Sequence, residues 1–83
     1  MKVTAKFDEH KRILYIYVND SLTKKAKIEF EERNIDSGYF KYKRERYDFM
    51  FERNNFLNKT SYDLWLYPVN AFKDNRVRVK VTE

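Results

Sequence analysis

Two groups of cations have the type and spacing to do chemistry. Lys41, Lys43, Arg44 and Arg46 fall within six residues, interrupted by Tyr42 and Glu45, and Arg76, Arg78 and Lys80 alternate with Val77 and Val79. Residues at every second position of a strand share one face. Such a row of cations contacts phosphates, and exposed rings beside it stack on unpaired bases. Tyr39, Tyr42, Trp65 and Tyr67 are the rings expected near these cations, with Tyr42 and Trp65 the two expected to stack. The pattern therefore predicts a nucleic-acid contact surface of nine residues: Lys41, Tyr42, Lys43, Arg44, Arg46, Trp65, Arg76, Arg78 and Lys80. RNA or single-stranded DNA is favoured over duplex, because no amphipathic basic helix is evident to enter a major groove.

The same residues admit a second reading. A row of Arg and Lys on a strand also guards an edge against aggregation, and exposed Tyr, Trp and Arg are the side chains that anchor protein interfaces. On that reading the chain is a small protein-binding inhibitor or antitoxin-like module acting on a host protein. An exposed strand would pair with the partner's sheet or with a second copy of the chain.

Catalysis has little to build on. His10 is the single histidine and sits among polar residues that read as a turn. Ser21, Ser37 and Ser61 are expected in turns, far from a nucleophile–base arrangement. No His/Cys/Asp/Glu set has metal-ligand spacing, and one glycine cannot build a phosphate-cradling loop. The adjacent carboxylates Asp8-Glu9 and Glu31-Glu32 would face opposite ways on a strand. No cofactor and no metal is expected. A metal-independent ribonuclease using His10 with a basic residue is the one enzymatic arrangement left.

The bulk numbers fit one small domain over residues 1–83. The 83 residues carry 18 Lys and Arg against 13 Asp and Glu, for a net charge of +5, with no cysteine and 15 aromatics to build a core. By segment the charge is +1 over 1–20, 0 over 21–38, +2 over 39–53 and +2 over 54–83, which points to the second half for the partner. The charged start, Met1–Lys6, lacks the apolar run of a secretory leader. The longest apolar run, 13–18, is too short to span a bilayer. A cytoplasmic protein is expected, and the abundance of Lys, Asn, Phe, Tyr and Ile fits a low-GC genome such as a phage.

The elements that must position the cations read mostly as strands. Residues 2–8 and 12–18 alternate and form a hairpin. Residues 25–32 alternate, although 21–33 also carries a helical stripe. Asn34–Gly38 reads as the strongest turn, with its glycine placed for positive φ. Residues 39–43 and 47–51 are strands of opposite phase, which demands a bulge or tight turn near 43–46; a helix over 45–58 is the rival. Residues 54–61 read as loop, 62–67 as a strand ended by Pro68, 69–75 as a connection and 76–82 as the last strand. The predicted fold is a mostly antiparallel β domain of about six or seven strands, a partly open barrel or small sandwich, with α+β as the alternative. Its expected core is Val3, Phe7, Leu14, Ile16, Val18, Ile28, Phe30, Phe40, Phe49, Phe51, Leu64, Leu66, Val77, Val79 and Val81.

Overall fold

Alternation of apolar and polar residues governs the architecture. The structure, a computed structural model, describes residues 1–30, 33–68 and 75–82. The Glu31-Glu32 pair and most of the expected 69–75 connection lie outside these. The described residues form eight strands and no α-helix: β1 (Val3–Asp8), β2 (Ile13–Val18), β3 (Ser21–Lys27), β4 (Ile35–Tyr42), β5 (Glu45–Phe56), β6 (Lys59–Tyr67), β7 (Val77–Val79) and β8 (Val81–Thr82). They make two four-stranded sheets, β3-β2-β1-β8 and β4-β5-β6-β7. Pairing is antiparallel except between β1 and β8. Residues 77–82 pass from one sheet to the other, and the Ala5 N–H donates to the Lys80 carbonyl at the crossing (3.2 Å).

Both sheets turn one face to a shared core. Ala5, Phe7, Leu14, Ile16 and Val18 come from the first sheet; Phe40, Phe49, Phe51, Leu64, Leu66 and Val79 come from the second; Ile28 follows β3. No polar or charged residue among those described is buried. Val3, Phe30 and Val81 pack against this core from its margin, as does Ala26. Val77 departs from expectation: it is 50% exposed, because β7 lies at its sheet's outer end and pairs over only three residues.

Three hairpins turn on two residues with both φ values positive: Asn19-Asp20 (50° and 67°), Lys43-Arg44 (50° and 67°) and Leu57-Asn58 (49° and 65°). Positive φ at both central positions is the type I′ geometry, whose twist matches that of paired strands. The charged turn at 43–44 accounts for the change of phase, since it places Phe40 opposite Tyr47. The β1–β2 turn is longer and is closed by Asp8, whose Oδ1 accepts the Lys11 and His10 N–H groups (3.1 and 3.0 Å). The Lys11 bond, with that of His10, holds the Asp8 carboxyl below the usual carboxylate range.

Several expectations are corrected. Among the described residues the strand readings of both ambiguous segments hold and their helical rivals do not, but the bounds move: β3 begins directly after Asp20 and ends at Lys27 where 25–32 is expected, and 45–56 is one long strand. The expected loop at 54–61 is the end of that strand, a two-residue turn and the start of β6. Ser21, Ser37 and Ser61 therefore lie in strands, not in turns. Gly38 makes no turn and has no positive φ; it sits inside β4 opposite Phe49. A Cβ there would stand 2.7 Å from the tip of the Phe49 ring, so the absent side chain is the space in which that ring lies.

Phe49 is buried, so its ring has little free space to move into. Gly38→Ala is therefore expected to destabilise by overpacking, by about 1–3 kcal/mol. The whole domain is expected to hold roughly 4–12 kcal/mol, so the loss will read as a drop in the thermal midpoint of several degrees. An unchanged midpoint would show that the ring yields.

Candidate nucleic-acid interface

The outer face of β4–β7 is built by the residues that alternate with the core. The registers align them into rows across the strands. Lys41 stands opposite Arg46; Tyr39 is beside Asp48 and then Tyr67; Ser37 is beside Met50, Trp65 and then Arg78. Adjacent strands lie about 4.8 Å apart and same-face neighbours on one strand about 7 Å apart. Three rings, Tyr39, Tyr67 and Trp65, thus share one face with Lys41, Arg46 and Arg78, and a shallow open depression lies between Ser37, Tyr39, Arg46, Met50 and Tyr67.

Guanidinium groups cover two of the rings. Arg46 Cζ is 4.1 Å from the centre of the Tyr39 ring, and Arg76 Cζ is 3.9 Å from that of Trp65. Both distances fit a cation held by an aromatic face. Lys24 reaches over from β3 to stand 5.5 Å from the Tyr39 ring. The face is not purely basic. Arg46 Nε donates to Asp48 Oδ1 (3.0 Å), and Arg78 Nη2 meets Asp63 Oδ1 (2.6 Å). The other Asp63 oxygen accepts from Asn54 Nδ2 (2.7 Å). These pairs orient the two guanidinium groups at the surface, where exposed ion pairs contribute less than about 1 kcal/mol.

The structure gathers Lys41, Arg46, Trp65, Arg76 and Arg78 on this face. Lys43 and Arg44 are exposed at the β4–β5 turn along its margin, and Lys80 is exposed where β7 gives way to β8. Tyr42 is separated from the others. Its side of β4 is that of Phe40, its hydroxyl accepts from Asn19 Nδ2 (3.2 Å), and Lys43 Nζ is 5.4 Å from its ring centre. Beside it, the Tyr47 hydroxyl donates to Glu45 Oε2, which raises the Tyr47 pKa above the usual phenol value. Tyr39, Tyr67 and Met50 complete the platform that Tyr42 does not join. Parity carried the signal, because Tyr39 is in phase with Lys41 and Tyr67 with Trp65.

His10 is exposed in the β1–β2 turn. Among the described residues no three His, Cys, Asp or Glu side chains are placed to hold a metal ion. Among the described residues no helix is long and apolar enough to cross a membrane. No protein-family model, curated protein or solved structure matches the chain.

Trp65 is the single tryptophan, so its fluorescence reports this face alone. Arg76→Ala is expected to uncover the indole, increasing its quenching by acrylamide and shifting its emission to the red. Unchanged quenching would show that the guanidinium does not shield the ring in solution.

Proposed function

We propose that this chain is a small non-catalytic nucleic-acid-binding protein that takes RNA or single-stranded DNA on the outer face of β4–β7, and that it acts in the cytoplasm. One observation carries the reading: Tyr39, Tyr67 and Trp65 share a β surface with Lys41, Arg46, Arg76 and Arg78. The chemistry divides in two. Rings accept bases by stacking, worth about 1–3 kcal/mol per base. Cations neutralise phosphates and release counterions, which makes affinity fall with salt. Arg46 and Arg76 lie over the ring faces, so a base that stacks there displaces a guanidinium, which is then placed beside the backbone it must neutralise. A sheet surface with projecting rings suits splayed, unpaired bases better than the edges of a closed duplex.

The test is a salt titration with a single-stranded oligonucleotide. Substituting Arg76, Arg78 and Lys80 by Ala is expected to flatten the log–log salt slope by about 2, from three cations at about 0.7 each. Trp65→Ala is expected to weaken binding by about tenfold, at the lower end of a stacked base. Undiminished binding in the triple variant would remove this face as the contact.

A specific observation favours the second reading, a protein-binding inhibitor or antitoxin-like module. At the tip of the β5–β6 hairpin Phe56 is 74% and Leu57 80% exposed, beside one another on the turn. Phe is among the aromatic residues enriched at protein interfaces, and the exposed Leu beside it extends the apolar contact. Phe56→Ser with Leu57→Ser is expected to leave oligonucleotide affinity within about twofold of the parent, since neither residue offers charge to a phosphate. A loss much larger than this would move the contact from the ring platform to the hairpin tip.

A further inference from the structure

The outer face of the other sheet carries a second set of cations and rings. In β1 the outward residues are Thr4, Lys6 and Asp8; in β2 they are Ile13, Tyr15 and Tyr17; in β3 they include Lys25 and Lys27. Lys6, Tyr15 and Lys25 form one row across the three strands, and Lys25 Nζ is 5.9 Å from the Tyr15 ring centre. Lys6, Lys25 and Lys27 are exposed, and none makes an ion pair among the described residues. The one carboxylate these strands turn outward is Asp8, whose Oδ1 is already bonded to the turn N–H groups. The β4–β7 face, by contrast, carries Asp48, Glu52 and Asp63 among its cations.

The two faces are joined by the strand that crosses between the sheets. Arg76 and Arg78 lie on the β4–β7 side, Lys80 lies at the crossing, and Thr82 stands opposite Lys6. Cations therefore continue from the ring platform over Lys80 to Lys6 and on to Lys25. From Trp65 on β6 to Lys25 on β3 the path crosses four inter-strand steps, about 19 Å, and also rounds the edge between two sheets packed about 10 Å apart, so it is about 30 Å long. A strand of about four nucleotides seated on the ring platform does not cover that path, whereas one of about sixteen, the upper site size of small single-strand-binding β domains, does.

We infer that the outer face of β1–β3 is a second contact surface for the same single strand. The strand leaves the β4–β7 rings, passes over Lys80 and lies along Lys6, Tyr15 and Lys25, with Lys27 beside it. The inference rests on the function proposed above and extends it to the opposite side of the molecule. Charge complementarity identifies the occupant as a polyanion, and the shared path from the ring platform identifies it as the same nucleic acid.

The test compares two single-stranded DNA probes, about four and about sixteen nucleotides long, on the full chain and on a variant with Lys6→Gln, Lys25→Gln and Lys27→Gln. All three positions are exposed, so the variant is expected to keep the parent's fold, checked by its amide spectrum. A matching variant with Lys→Arg at the three positions keeps the charge. The Gln variant is expected to bind the short probe as the parent does, to lose about tenfold or more on the long probe, and to show a salt slope flatter by about 2 there. The Arg variant is expected to bind both probes as the parent does. If the parent binds both probes and the Gln variant loses nothing on the long one, the second surface is overturned and the ring platform stands. If the parent binds neither probe, both readings fall. If the parent binds neither probe but binds anionic vesicles through these lysines, the surface belongs to a membrane and the inference is overturned.

Discussion

The contact on which the molecule depends is the ring cluster that joins its two sheets. Phe51 from β5 is fully buried, and its ring centre lies 4.9 Å from Phe7 of β1, 5.5 Å from Tyr62 of β6 and 5.7 Å from Phe30. Rings in tilted and stacked pairs at these distances gain about 0.5–1.5 kcal/mol each beyond the area they bury. A chain without cysteine has no covalent staple, so the apolar contact between sheets must hold them. The large area of each aromatic compensates for a core drawn from so few residues.

That constraint shapes the surface as well. Once Phe, Leu, Ile and Val occupy most of the inward strand positions, the alternate positions are left for charge, and 37% of the chain is charged. The cations are not spread evenly over the outward positions. Rows across the strands bring Lys41 to Arg46, Trp65 to Arg78, and Lys6 to Tyr15 and Lys25. The arrangement that could read nucleic acid is thus a by-product of strand register, and it persists only while the register holds, because a slip of one residue would exchange the two faces. The type I′ turns at Asn19-Asp20, Lys43-Arg44 and Leu57-Asn58 pin the registers of β2–β3, β4–β5 and β5–β6.

Much of this was legible in residue order, for a physical reason. The β1–β2 hairpin and the Trp65 and Arg78 face follow from period-two alternation, which needs only neighbouring residues to be read. Features set by distant partners were not legible. Gly38 resembles a turn glycine beside Asn34 and Asp36, whereas the demand for it comes from the Phe49 ring on the next strand. Leu57 and Arg44 hold positive φ, which bulky residues seldom adopt, so the turns they form leave little trace in the sequence. The charge of residues 21–38 sums to zero because Lys24, Lys25, Lys27 and Arg33 are offset by Glu29, Glu31, Glu32 and Asp36. A segment total averages over both faces and the connections, and so it concealed the cations that β3 turns outward. Tyr42 stands among basic neighbours in the sequence, while parity turns it away from them toward Asn19.

The most direct measurement is an amide and side-chain chemical-shift titration of the labelled full chain with single-stranded RNA or DNA. The account predicts that the largest changes fall on Tyr39, Arg46, the Trp65 indole, Tyr67 and Arg76. Longer strands should add changes at Lys6, Tyr15 and Lys25, and the core signals of Phe51 and Leu14 should stay in place. Changes confined to Phe56 and Leu57 at the hairpin tip, or none on the β4–β7 face, would contradict it.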